Sequence, residues 1–566
     1  MSRNKIALLL TSAICGVSAF GAASSASAAD VNGGGASLPA PYIRGSADCY
    51  GVKADLIERD ATGGTNPTLT TLADFNYTGT PAFDCATTTV DASTRVLYSS
   101  TGSGRGIAAH MSHDPAFYGD TSLTAGVQLF ASVQYNLSET SLSATNVAAY
   151  NNGGTVGSGT TAVTMVAPGG TPGVGQYANP KEKYGALVQY PFLIAPVTIA
   201  YDPVYKKVRQ GNGTIKEYKF RINGARGDGS GGLRLDAVTY CKIFNGQITD
   251  WNHADLTALN GGVSLRDPKD PVPEGSWSQT LQIAGRLDSS GTTSLWTRHL
   301  AAVCEGLSGN AYADSTSTLP ATLISAGAIY DKNTANTTVT GTPGIYVRAD
   351  GNGGVAKYID FTVEPTMTAG NTVTQGRIAY LGPDYVLPAV VFTAANTYNL
   401  NTATLQNANG DWVAPSPDAA IKSFGTRLPP DSNSKGKYDA GSTDPRSRTQ
   451  PADWVEPASK TSPLANPTAA RGYPIVGTSN LLAYTCYADK NQFKGLFGYL
   501  KWYNDSAMVN DAKLGILAES GFAPMPKSWT TAIRETFLGN GSGLNLAIAQ
   551  VGTGNSGCTV PGVVGG

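Results

Sequence analysis

Within eight residues, Arg286 to Thr293, the chain collects an arginine, a carboxylate, four hydroxyls and a glycine, in the order RLDSSGTT. A planar guanidinium grips a tetrahedral oxyanion through parallel N–H groups, and Asp288, two residues on, can hold that guanidinium in place. Ser290 is a helix-capping residue type, Gly291 lets a ligand approach the backbone, and the hydroxyls of Thr292 and Thr293 add donors. The chemistry open to this set is capture of an anion. Its neighbours supply the frame. Leu281 to Ala284 reads as a short strand, and Leu295, Trp296, His299, Leu300 and Val303 recur at helical spacing. The cluster therefore lies at a helix N-terminus, where unpaired N–H groups and the helix dipole favour negative charge. Taken alone the four letters are an ordinary cap: Ser158 to Thr161 repeat them in a Gly-rich loop with no arginine nearby and no helix after them.

Other stretches repeat the strand, turn and helix pattern. In DVNGGGASLPAP, Asp30 to Pro41, the Ser37 hydroxyl and the backbone N–H groups of Ser37 and Leu38 can face a ligand. In VLYSSTGSGRGIAAH, Val96 to His110, Ser103 is the hydroxyl placed for an anion; the Gly-Lys-Ser/Thr of a nucleotide P-loop is missing, so no triphosphate is implied. After a strand within Ala131 to Tyr150 comes Glu139, a carboxylate at the strand mouth whose usual fate is to be solvated.

Arg3 and Lys5, the apolar run Ile6 to Phe20 and the small residues through Ala28 form a signal-peptide layout, with cleavage expected near Ala28 or Ala29. A periplasmic or secreted location follows. Six cysteines remain after Cys15 leaves with the signal, an even number that favours disulfides. Cys49 and Cys85 read as the ends of one stapled excursion, Cys241 lies on the face of one helix and Cys304 ends another, so that a bridge would tie the two, and Cys558 is placed to reach Cys486. A formal charge of −1 excludes the basic face that a nucleic-acid partner requires. No CxxC occurs, and the four histidines include only one close pair, His110 and His113, which read as part of a surface helix. No metal or cofactor is implied. Neither a Ser-His-Asp set nor a nucleophile beside a base is evident, so the expectation is no enzyme.

At 566 residues more than one domain is expected. Leu187 to Asp202, broken by Pro191 and Pro196, reads as two strands with a crossover between domains, and Gly472 to Asp489 as a second crossing. Asn151 to about Tyr177 reads as a Gly-rich loop, and most of Val413 to Gly472 as surface loop. In Leu233 to Asn252, Asp236 caps a helix with Val238, Cys241 and Phe244 on one face. Strands alternating with helices make the class α/β, with two discontinuous domains: residues 30–195 plus 474–566, and 196–473, after the signal peptide at 1–29. Ligand sites in such sheets lie at the carboxyl ends of strands and between domains.

The motifs GGGASLP, TGSGRG, RLDSSGTT, LRLDAVTYCKIFNGQITDWN, GRIAYLGPDY and YPIVGTSN resemble the phosphate-binding proteins of bacterial ABC phosphate importers, and within them the DING proteins, with Asp30-Val31-Asn32-Gly33 in place of Asp-Ile-Asn-Gly. The resemblance runs from residue 30 to about 560, with insertions near 46–94 and 151–180. It implies a type II periplasmic-binding-protein fold, with inorganic phosphate buried in an interdomain cleft for high-affinity uptake. The implied ligands are Ser37, Leu38, Ser103, Arg286, Ser290, Gly291 and Thr292, with Asp288 orienting the arginine. It also supports the pairs Cys241–Cys304 and Cys486–Cys558, and leaves Cys49–Cys85 to this chain's own insertion. It implies a monomer, and an ABC permease as possible partner. Where the family carries an Asp that accepts the proton of hydrogen phosphate, this chain has Glu139, one methylene longer: either the pocket is wider or the oxyanion preference has shifted. Phosphatase or phosphotriesterase activity, and a surface or adhesive role for the insertions, are the alternatives.

Overall fold

The computed structural model describes residues 28–52, 89–118, 132–222, 232–324, 328–330, 339–340, 344–361, 369–386, 400–430, 446–539, 541–553, 556–560 and 562–566. Nearly all of the expected signal peptide, and Cys85, lie outside them.

The elements that build the framework are, in chain order, β1 (Ala29–Gly35), α1 (Ala40–Tyr50), β2 (Thr94–Ser100), α2 (Ser103–Ser112), β3 (Tyr135–Ser138), β4 (Leu187–Pro196), β5 (Thr198–Tyr201), α3 (Ala237–Phe244), β6 (Gln282–Arg286), α4 (Gly291–Val303), β7 (Tyr346–Ala349), α5 (Gly351–Ile359), β8 (Arg377–Leu381), β9 (Asn401–Thr402), β10 (Val476–Tyr484) and α6 (Lys490–Asp505). They form two principal sheets. One has the order β2-β1-β3-β10-β4, with β1, β2 and β3 parallel and β10 antiparallel to both its neighbours. The other runs from Val339–Thr340 and Ile329–Tyr330 through β7, β6, β8 and β5 to β9; here β6, β7 and β8 are parallel and β5 is antiparallel to its neighbours. Each sheet thus has a parallel centre whose strands enter turns and helices at their carboxyl ends, the α/β arrangement expected.

The chain passes from one sheet to the other at Val197, whose N–H donates to the Ile475 carbonyl at 2.9 Å, just before β10 begins. Both apolar crossings thus meet at one backbone contact. Pro191 does not end a strand as the sequence suggested. It pairs with Asn480, Leu193 pairs with Ser479, and the register shifts between them, so a bulge absorbs the residue that cannot donate.

Asp236 caps α3 by accepting the Thr239 N–H at 2.8 Å, and Ser290 caps α4 by accepting the Thr293 N–H at 3.1 Å. Disulfides join Cys241 to Cys304 and Cys486 to Cys558. The first closes a loop of 63 residues between the ends of α3 and α4, which on the chain-entropy estimate is about 4 kcal/mol of stability. Cys49 is buried near the end of α1.

Several expectations are corrected. Val238 is exposed, and Tyr240 and Ile243 join Cys241 and Phe244 on the buried face of α3. Asn151 to Tyr177 contains a three-stranded sheet, Gly154–Val156, Val163–Met165 and Gln176–Tyr177, because Val156, Val163 and Met165 are buried beneath a surface of threonines. Within Val413 to Gly472 a helix, Pro417–Phe424, and the fully buried Trp454 pack on the core; the Trp454 indole donates to the Arg448 carbonyl. α2 is no surface helix at His110, whose ring is buried and stacked 4.3 Å from Tyr484; burial holds its pKa down to about 3.

Candidate functional site

The turns that follow the parallel strands of both sheets converge on one buried place. From β6 and α4 come Arg286, Asp288, Ser290, Gly291 and Thr292. Arg286 donates from Nε to Asp288 Oδ1 at 2.7 Å and from Nη2 to Asp288 Oδ2. Its Nη1 reaches Thr292 Oγ1 at 3.3 Å. The guanidinium is 1% exposed and the Asp288 side chain 10%, so both faces of the pair are withdrawn from water. Burial alone lowers the tendency of Arg286 to hold its proton, and Asp288 more than restores it. Asp288 also accepts the Gly351 N–H at 3.1 Å, and Tyr380 on β8 braces the turn by meeting the Arg286 N–H and the Thr293 hydroxyl. Asp288 thus orients the arginine as the sequence suggested.

From the other sheet come Ser37 and Leu38 after β1, Ser103 opening α2, and Glu139 after β3. All four are buried, Ser103 at 1% and Glu139 at 3% exposure. Ser103 donates to Glu139 Oε2 at 3.0 Å, and Ser479 on β10 donates to Oε1 at 2.9 Å. Burial pushes the Glu139 carboxyl above the usual carboxylate range; Ser479, Ser103 and Arg286 pull it back only in part. Glu139 is therefore not the solvated side chain that its loop position suggests.

The helix N-termini of α2 and α4 face one another across the boundary. Gly104 N–H donates to the Ser289 carbonyl at 3.0 Å, and Thr140 and Ser294 share a hydrogen bond of 2.8 Å. Gly291 is required by this approach: a Cβ there would lie 2.4 Å from both Glu139 Oε2 and Ser103 Oγ. Gly102 is required by its backbone, at φ +86° with Asp288 and Ser289 against it. The peptide N–H groups of Ser37, Leu38, Gly291 and Thr292 have no acceptor among the described residues.

Every residue singled out from sequence for this site is at or beside this place: Ser37, Leu38, Ser103, Glu139, Arg286, Ser290, Gly291, Thr292 and Asp288. Ser290 accepts the Thr293 N–H as a cap, which leaves its own O–H as a donor. Sequence reasoning missed Asn352, which opens α5 and contacts Ser37 and Thr292, and Ser479. A signal for Asn352 was present in Asp350-Gly351-Asn352-Gly353, another strand-to-helix turn; Ser479 sits inside an apolar strand and carries none. Among the described residues no group of three or more His, Cys, Asp and Glu could hold a metal ion. The arrangement can bind one tetrahedral oxyanion by neutral donors and one guanidinium, with one carboxyl opposite.

Comparison with known proteins agrees with this geometry. Residues 175–423 match the PBP superfamily domain. An alkaline phosphatase L of Pseudomonas aeruginosa is 27% identical over 321 residues, 56% of this chain and 64% of the relative, so the match spans less than two thirds of that protein. A phosphate-binding protein of an unknown prokaryotic organism is 26% identical over 386 residues, 66% of this chain and 79% of the relative. Among solved structures, a high affinity periplasmic phosphate-binding protein, PfluDING, superimposes with a TM-score of 0.50 at 20% identity, covering 94% of this chain and 99% of that one. The chain thus has the type II periplasmic-binding-protein fold, and its residues 175–423 match the PBP superfamily domain.

Proposed function

We propose that the chain captures inorganic phosphate, reversibly and without covalent chemistry, in the cleft between residues 30–195 with 474–566 and residues 196–473. The observation that carries this reading is the convergence of Arg286, the N-terminus of α4, Ser37, Leu38 and Ser103 on one buried place that also holds Glu139, a carboxyl met by hydroxyls rather than by an ion pair. Hydrogen phosphate is an oxyanion with one proton; its bare oxygens fit the donors and its proton fits the carboxylate. Fully ionised sulfate has no proton to give and leaves a buried carboxylate facing a bare oxygen, a cost of several kcal/mol. Micromolar binding needs about 8 kcal/mol, within reach of a set of charge-assisted hydrogen bonds.

The names of the relatives, a phosphate-binding protein and a high affinity periplasmic phosphate-binding protein, support a periplasmic or secreted protein that binds phosphate, and we propose that it hands the ion to a membrane permease. The alkaline phosphatase L name favours hydrolysis as a second reading. On that reading the Ser103 hydroxyl, which donates to the buried Glu139 carboxyl, would be the nucleophile beside a base.

Calorimetric titration of the phosphate-stripped mature protein with phosphate, then sulfate, tests the proposal. One-to-one binding of phosphate with sulfate silent is expected. No heat and no thermal stabilisation with phosphate would overturn it, and turnover of p-nitrophenyl phosphate by the pure protein would favour the second reading.

A further inference from the structure

Asn352 is fully buried at the second position of α5. Its Nδ2 donates to Ser37 Oγ at 3.0 Å and to Thr292 Oγ1 at 3.1 Å, and its peptide N–H donates to Ser37 Oγ at 3.2 Å. Its Oδ1 accepts the Gly382 N–H at 3.3 Å. That last contact orients the amide, because a peptide N–H can only donate and so must face oxygen.

A serine or threonine hydroxyl has one proton and two acceptor lone pairs. Ser37 Oγ accepts twice from Asn352. Thr292 Oγ1 accepts from Asn352 and from Arg286 Nη1. With both lone pairs taken, each hydroxyl has only its O–H to offer, and neither O–H has a protein acceptor among the described residues.

We infer that Asn352 is a positioning residue: it fixes the hydroxyls of Ser37 and Thr292 as donors, so that the part of the cleft they line accepts only deprotonated oxygens of a tetrahedral oxyanion. The inference rests on the phosphate-capture reading and deepens it, since a ligand proton is then excluded from these two hydroxyls and directed to Glu139. The same amide also links the two sheets, because Ser37 follows β1 while Thr292 and Asn352 follow β6 and β7.

The test is a double-mutant cycle read by calorimetry with inorganic phosphate, with the thermal midpoint of each ligand-free protein recorded alongside. In the wild-type background Ser37→Ala is expected to weaken binding about 10-fold, as for a hydrogen bond to a charged group. In the Asn352→Ala background, where the hydroxyl is no longer held as a donor, the same change is expected to cost less than about 3-fold. Asn352→Asp repeats the measurement in a side chain of unchanged shape, should the alanine variant fail to fold. There the introduced carboxylate turns the Ser37 proton away from the cleft, and Ser37→Ala is expected to cost nothing. An equal cost of Ser37→Ala in all backgrounds overturns the inference while leaving phosphate capture standing. A wild-type protein that does not bind phosphate overturns phosphate capture, and this inference with it.

Discussion

The two halves of the cleft use the same local device, a strand entering a helix through a short polar turn, and bury one charged side chain each. They treat that charge in opposite ways. Arg286 lies against Asp288 in a two-pronged ion pair and has Thr292 on its remaining edge. Glu139 touches no cation among the described residues; Ser103 and Ser479 donate to it, and its carboxyl is pushed upward by burial. A buried ion with a counter-ion stays charged across the pH range, whereas one met only by hydroxyls is poised to share a proton. On the proposed function the difference divides affinity from selectivity: the arginine half would hold any tetrahedral oxyanion, and the glutamate half would ask whether it carries a proton.

The largest effect is expected from breaking the arginine half. Arg286→Ala removes the guanidinium that faces the oxyanion and leaves the Asp288 charge beside it, a binding cost of roughly 3–4 kcal/mol, so phosphate affinity should fall by two to three orders of magnitude in titration. A loss below 10-fold would mean that the helix N-termini alone carry the anion. Next, Glu139→Gln replaces a charged acceptor by a neutral amide that can also donate. Sulfate, silent in the wild type, should then bind within about 10-fold of phosphate; continued exclusion of sulfate would place selectivity elsewhere. Ser479→Ala is a smaller step that removes one of two hydroxyls from Glu139. A change of about 1 kcal/mol, or roughly 5-fold in phosphate affinity, is expected, and no change would make Ser479 a packing residue.

Another buried carboxyl sharpens the same contrast, beside the turn at Gly382 that Asn352 braces. Asp384 is fully buried beyond β8, and neither carboxyl oxygen has a hydrogen-bond partner among the described residues. Burial holds its pKa well above the ordinary value. Its protonated form is thus favoured in the folded state, so the stability it supports is full below the unfolded pKa of about 3.9 and is lost as pH rises through the raised folded value. Asp384→Asn should flatten that loss, giving a thermal midpoint that falls less between acidic and alkaline buffer than in the wild type. An identical fall in both proteins would assign the pH dependence to other groups.

How much of this was legible beforehand depends on distance along the chain. Arg286, Asp288, Ser290 and Thr292 were legible because they act on one another within seven residues, where a strand end and a helix start fix the geometry. The cap at Asp236 was legible for the same reason. Pro191 was misread because the rule that proline breaks strands is local, while the bulge that accommodates it is made with β10, almost three hundred residues later. His110 was misread because Tyr484, whose ring stacks on it, comes from β10, far along the chain from α2.

The sequence by itself determined the class of the fold, the strand-to-helix turns and the chemistry each turn offers, since periodicity, capping residues and donor types are properties of short segments. Only the tertiary structure decided that those turns meet, that Ser479 in an apolar strand reaches Glu139, and that Asn352 fills the lone pairs of two hydroxyls from different sheets. Which way a hydroxyl points is set by every donor and acceptor around it, and here those come from segments up to 340 residues apart.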